Sequence, residues 1–212
     1  MVARVLGPDV TTIAILVYDG VDELDAVGPF EAFEMAADEG APLETSLVTL
    51  EERGTGRVTA AHGLRIAPDG ILRIDEPPDL LVVPGGGWND RRSEGAWAEA
   101  ERGVVHDALA RVHDAGTTLA AVCTGGMLLA RAGLLDGRPA VTHRGALDDL
   151  RATDATVVDA RVVDDGDVVT AGGITSGLDL ALHLIERFAD AETAASVADV
   201  LEYDRRGDVV VR

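Results

Sequence analysis

The sequence predicts an α/β protein: one flavodoxin-like domain over residues 1–212, a doubly wound parallel sheet with helices on both faces. Three observations carry this expectation. Near-continuous apolar runs of strand length recur at residues 11–18, 79–84 and 117–122, the pattern of parallel strands buried on both faces. Helix-like segments separate these runs, as crossover connections require. The runs end in small-residue or acidic loops, where open α/β sheets place their sites.

In order, residues 11–18 form the first strand and stop at Asp19-Gly20, a turn signal. An acidic loop, residues 21–28, precedes a helix expected to begin at Pro29, whose missing N–H is harmless in a first turn, and to end near Asp38. Residues 43–50 read as the second strand. Residues 58–71, with turns at Gly63 and Asp69-Gly70, read as a small paired-strand excursion. A buried strand at 79–84 runs into Gly85-Gly86-Gly87-Trp88. One helix is expected over 95–115, closed by Gly116. The strand at 117–122 reaches Cys123-Thr124-Gly125-Gly126 and a helix stopping near Gly133. A short strand at 139–143 and a helical piece ending at Leu150 follow. Residues 156–163 and 167–170 flank the turn Asp164-Asp165-Gly166 as a hairpin. A small-residue bend, 171–177, leads into a helix to about 189 and a last helix over 191–203.

Nearly half the residues are hydrophobic (47%) but only 3% are aromatic, so the core must be aliphatic. The formal net charge is −20, and all 18 basic residues are arginine. That balance argues against nucleic-acid binding, which needs a basic patch, and disfavours an anionic membrane surface. It fits a salt-adapted protein, in which screening shortens self-repulsion and carboxylates aid solubility. A single cysteine excludes an internal disulfide and fits a reducing compartment. With no signal pattern in residues 1–10 and no apolar run of membrane-spanning length, a cytoplasmic location is expected.

Cys123 is the candidate nucleophile. At a strand-to-helix corner it sits on a tight turn, its sulfur toward the partial positive charge of the next helix's start, which favours thiolate. The alternative is a buried cysteine acting as a small apolar residue. Main-chain N–H groups of Thr124, Gly86 and Gly87 are candidates for an anion-stabilising hole. Asp25 is the candidate proton partner: beside a thiolate its carboxyl holds a raised pKa and a shared proton, and it serves as general acid and then base. Asp22 and Glu23 read as solvated loop carboxylates, and Glu31 as a rival that more simply complements a helix dipole. A Cys–His pair with His143 is the remaining possibility for the thiol. His183 reads as structural. His106 and His113 share a helix face without enough donors for a metal, and the sequence has neither a Gly-x-x-x-x-Gly-Lys phosphate loop nor a dinucleotide glycine fingerprint after the first strand, so no metal and no cofactor are expected.

Leu24-Asp25-Ala26-Val27-Gly28-Pro29, Pro84-Gly85-Gly86, Ala121-Val122-Cys123-Thr124-Gly125-Gly126, Thr142-His143 and residues 172–179 follow one another in an order that resembles the PfpI-like superfamily, related to class I glutamine amidotransferases. The Leu-Asp-x-x-Gly-Pro loop resembles its isocyanide hydratase branch. The resemblance implies a nucleophile elbow and attack by Cys123 on an isocyanide carbon. It also implies proton supply by Asp25, help from the Thr124 hydroxyl, and orientation of Asp25 and substrate by the main chain near Gly172 and Ile174. It implies a homodimer acting on a small molecule. Thr124 stands where protease and deglycase branches place histidine, and the glycine-rich bend stands where amidotransferases place a His–Glu pair. A glyoxalase-like enzyme on dicarbonyls and a ligand-binding or redox-sensing module of the same fold are the alternatives.

Overall fold

A computed structural model describes residues 10–52 and 56–212; the first nine residues, read above for a leader, lie outside the described ones. In chain order the elements are β1 (Thr11–Leu16), α1 (Glu23–Asp38), β2 (Leu43–Thr49), β3 (Val58–Thr59), β4 (Arg65–Ile66), β5 (Gly70–Ile71), β6 (Leu80–Val83), α2 (Ala96–Arg102) and α3 (Val104–Asp114). There follow β7 (Thr118–Ala121), α4 (Gly125–Arg131), β8 (Pro139–Ala140), a 3-10 turn (Arg144–Ala146), α5 (Leu147–Arg151), β9 (Thr156–Val157), β10 (Val162–Asp164), β11 (Val168–Ala171), α6 (Ser176–Phe188), α7 (Ala191–Val200) and β12 (Val209–Val211).

One eight-stranded sheet runs β12-β10-β11-β7-β6-β1-β2-β5. Its centre, β2-β1-β6-β7-β11, is parallel throughout and has the flavodoxin-like order; β10 and β11 form an antiparallel hairpin as expected, but the strand expected over 156–163 is broken, its start forming β9 beside β8. Helices α1, α6 and α7 cover one face, and α2, α3 and α4 the other. The central strands are apolar on both faces because both are covered: Ile13, Ile15, residues 80–83 and residues 119–121 are all buried. Strand β3 pairs with β4 in the expected excursion.

Four expectations are corrected. Helix α1 begins six residues before Pro29, because the Asp22 side chain caps it by accepting the Leu24 N–H. Pro29 is therefore inside the helix, where it denies the Asp25 carbonyl its usual partner four residues on. The single helix expected over 95–115 is two, broken at Gly103, whose φ of 77° is left-handed. The strand expected over 139–143 is only the two residues of β8, which leave the main sheet to pair with β9. The carboxy-terminal residues, left unassigned, supply β12, parallel to β10 at the sheet edge.

Candidate active site

Cys123, two residues past the end of β7, has a conformation that needs outside support. Its φ is 56°, a left-handed value that costs a non-glycine residue about 1–3 kcal/mol. Bonds from two sides hold it: its N–H donates to the Gly172 carbonyl at 2.9 Å, and its carbonyl accepts from Thr142 Oγ1 at 2.8 Å. The corner closes only around glycine. A Cβ on Gly125 would lie 1.9 Å from the Val83 carbonyl oxygen, and one on Gly85 would lie 2.5 Å from the Thr124 nitrogen. The ends of β6 and β7 are thereby pressed together.

The sulfur is reached by the N–H groups of Thr124 and Ile174. Ile174 is itself left-handed, with φ 42°, an outlier for a β-branched residue. These donors favour thiolate, but burial and then the neighbouring Asp25 outweigh them and hold the thiol well above its ordinary value. The helix start favours thiolate as expected, through the Thr124 N–H, but α4 has only seven residues and burial of the thiol outweighs it.

Asp25, on the first turn of α1, is completely buried. Its Oδ2 accepts the Gly85 N–H at 3.0 Å, while its Oδ1 is buried with no hydrogen-bond partner. Burial, then the Asp22 charge, push this carboxyl well above the usual range; the Cys123 thiol acts in the other direction. The thiol is near enough to stabilise the carboxylate, though no hydrogen bond of full geometry closes onto Oδ1. Two anions at this spot repel one another strongly, so the two groups titrate as a coupled pair that shares a proton between them. Asp22 and Glu23 are not the idle carboxylates expected: Asp22 caps α1, and Glu23 pairs with His62 Nδ1 at 2.7 Å.

A cleft of about 190 Å³ opens over the sulfur, lined by Cys123, Thr124, Gly86, Gly87, Trp88, Asn89, His143 and Ile174 among others. Within it the Gly86 N–H is already donated to Thr124 Oγ1 at 2.9 Å, so of the expected donors it is not free for an anion. The Thr124 N–H serves the sulfur, and the Ile174 N–H, not anticipated for that role from residue type, serves it too. Gly172 contributes its carbonyl, as above, not an N–H.

Trp88, which the sequence alone does not place, is a wall of the cleft. Its Nε1–H donates to Asp149 Oδ2 at 2.6 Å, and its ring meets Trp97 edge-on at 5.1 Å. The Arg91 guanidinium lies 3.9 Å over Trp97 and bonds Asp149 at 2.8 Å, fastening the 85–95 loop to α5. His143 also borders the cleft. Its Nδ1 accepts the Gly145 N–H at 3.0 Å, which leaves the neutral ring's proton on Nε2. Burial lowers its pKa.

The remaining histidines are elsewhere. His183 bonds Asp164 at 2.6 Å, a buried structural pair as expected, and His113 bonds Asp167 at 2.8 Å. Among the described residues no group of three or more His, Cys, Asp or Glu could hold a metal, and no helix is long and apolar enough to cross a membrane.

A doubly wound sheet bearing a strained cysteine at a strand-to-helix elbow defines a class I glutamine amidotransferase-like protein. Within that class the chain belongs to the DJ-1/PfpI family, whose model matches residues 11–187. An isonitrile hydratase of Pseudomonas putida is 33% identical over 191 residues, covering 90% of this chain and 78% of that protein. The HTH-type transcriptional regulator GbdR of Pseudomonas aeruginosa is 33% identical over 151 residues, 70% of this chain but 39% of the regulator. A THiJ/PfpI family protein from Pseudomonas syringae superposes with a TM-score of 0.77 at 28% identity, over 97% of this chain and 83% of that one.

Proposed function

We propose that this chain is a cofactor-independent hydratase that adds water to an isocyanide through a thioimidate on Cys123. The observation that carries the reading is the buried Asp25 carboxyl, with one oxygen unpartnered, beside the only thiol of the chain. The likeness to an isonitrile hydratase over 90% of the chain supports it. The sulfur attacks the terminal isocyanide carbon, and the proton shared with Asp25 passes to that carbon, giving R–N=CH–S–Cys123. Water then adds to the same carbon while its proton goes to nitrogen. The C–S bond breaks, the proton returns to the Cys123–Asp25 pair, and R–NH–CHO leaves. Asp25 is general acid and then base. The main chain at Thr124 and Ile174 steadies charge on sulfur, and Thr124 ties the elbow to the glycine loop. Trp88 and His143 shape the pocket for the substituent R.

The second reading is a ligand-binding or redox-sensing module, favoured by the likeness to a regulator over residues of the same fold. A sensing thiol is oxidised and reset instead of turning over. One experiment separates these: the protein and Cys123→Ala are incubated with an alkyl isocyanide and, separately, with methylglyoxal. Formamide from the first protein and none from the variant supports the hydratase. Consumption of methylglyoxal alone supports a glyoxalase-like enzyme. Inertness to both, with ready oxidation of Cys123, supports the sensor. We further propose a homodimer in the cytoplasm; sedimentation equilibrium giving a monomer mass at micromolar concentration removes the dimer.

A further inference from the structure

Tyr18, two residues past β1, is buried, and its hydroxyl donates to the Pro84 carbonyl at 2.5 Å. That carbonyl and the Gly85 N–H are the two ends of one peptide group, and the N–H end donates to Asp25 Oδ2 at 3.0 Å. Hydrogen bonds in series polarise one another: a donor on the carbonyl makes the N–H of the same peptide a stronger donor. The peptide is also fixed in place, since β6 ends just before it and Gly85 is pressed against Thr124.

We propose that Tyr18 is a positioning residue of the Cys123–Asp25 pair, acting through the Pro84–Gly85 peptide to orient Asp25 and set how tightly it keeps the shared proton. This rests on the pairing in the proposed function. It is testable without any turnover, because alkylation of Cys123 reads the pair whether or not the protein hydrates an isocyanide.

The groups around the relay are acidic. Asp25 faces Asp22 and Cys123; Tyr18 faces Asp25 and Cys123 and, on its other side, Glu99. There a cavity of about 60 Å³ is lined by Tyr18, Glu99 and Arg102, the last two paired at 2.7 Å. In this setting Tyr18 stays a neutral phenol at all working pH values, held there by burial first and then by the Asp25 and Glu99 charges. It is therefore a permanent donor to Pro84 and not itself an acid for the substrate.

Tyr18→Phe keeps the ring and deletes the donor. The Gly85 N–H then stabilises the Asp25 carboxylate less, and the shared proton moves from sulfur toward Asp25. Iodoacetamide alkylation of Cys123 at pH 7 is expected to quicken by about threefold, with the whole rate–pH profile displaced toward lower pH. Turnover of an isocyanide slows, because Asp25 gives up its proton less readily. The opposite perturbation is 3-fluorotyrosine, a stronger donor. The chain has two tyrosines, so in a Tyr203→Phe background the label enters only at Tyr18, and there alkylation is expected to slow relative to the unlabelled Tyr203→Phe protein. In an Asp25→Asn background Tyr18→Phe is expected to leave alkylation unchanged. Equal effects with and without Asp25, or an unmoved profile for both Tyr18 changes, overturn the proposal. If Tyr18→Phe does not fold, the fluorinated protein decides alone.

Discussion

The hydroxyl oxygen of Thr124 accepts the Gly86 N–H at 2.9 Å, joining the residue after the cysteine to the glycine loop that roofs the cleft. Thr124→Val keeps the shape and leaves that N–H without its partner, at a cost of about 1 kcal/mol. Thr124→Ser keeps the bond. Urea unfolding together with turnover checks this: the serine variant is expected near the parent in both, and the valine variant below it in both. Equal behaviour of the two variants removes the hydroxyl from the loop's support.

Asp25 gives a pH signature of defined sign. Its carboxyl is raised by burial above the ordinary value of 3.8, so the folded state binds this proton more tightly than the unfolded one. Its contribution to stability is complete below 3.8 and is lost as pH rises through the folded value. Asp25→Asn has no such loss. The stability of the variant relative to the parent is therefore expected to climb as pH rises from about 3.8, while turnover is abolished throughout. Denaturation midpoints measured from pH 3 to 8 check the slope, and a gap that narrows with rising pH refutes it.

Much of this site is legible in the sequence because it is local. Gly85 and Cys123 sit just past strand ends and Gly125 opens α4, and steric demands there leave few residue types. What is not legible is set by distant partners. Pro29 reads as a helix start until Asp22 is seen to cap seven residues earlier. The resemblance points to the main chain near Ile174, but nothing about an isoleucine announces a left-handed backbone, so that its N–H turns to the sulfur is read only once the bend is built. Trp88 is aimed by Asp149, 61 residues on, and the Tyr18 hydroxyl by Pro84, 66 residues on. Strand β12 is apolar but short, and only its register beside β10 makes it a strand.

Trp88 lines the cleft over Cys123 and is expected to limit the size of a substrate there. Trp88→Phe loses the Nε1–H bond to Asp149, a cost of about 1–2 kcal/mol, while Arg91 still bonds Asp149. Trp88→Ala opens the wall more fully and costs about 3–5 kcal/mol. For isocyanides of increasing bulk, kcat/KM for the bulky over the small substrate is expected to rise about tenfold in the phenylalanine variant, equivalent to about 1.4 kcal/mol of relieved crowding. An unchanged ratio places the substituent away from Trp88.

The net charge of −20 bears on salt in two opposed ways. Salt weakens exposed ion pairs such as Arg73–Asp75 and Arg151–Asp148, but such solvated pairs contribute little to stability. It also screens the repulsion among the surplus carboxylates, shortening its range from about 10 Å at 0.1 M to about 3 Å at 1 M. The excess acids outnumber the pairs, so screening wins, and Tm is expected to rise from low to molar potassium chloride. Equal or greater stability at low salt ends the salt-adaptation reading.

The strain at Cys123 reverses an ordinary ranking. In most positions glycine is less stable than alanine by about 0.5–1 kcal/mol, because it loses more backbone entropy on folding. At φ 56° alanine keeps the left-handed strain and glycine sheds it, a difference of about 1–2 kcal/mol in the other direction. Both variants lose the same sulfur, so their comparison isolates the backbone. Cys123→Gly is expected to be more resistant to urea than Cys123→Ala. The reverse order means the Gly172 and Thr142 bonds impose no strain on the cysteine. The expected order means that this family member holds its cysteine in a conformation the chain alone would abandon, with the sulfur kept between Asp25 and the two N–H groups by force of packing.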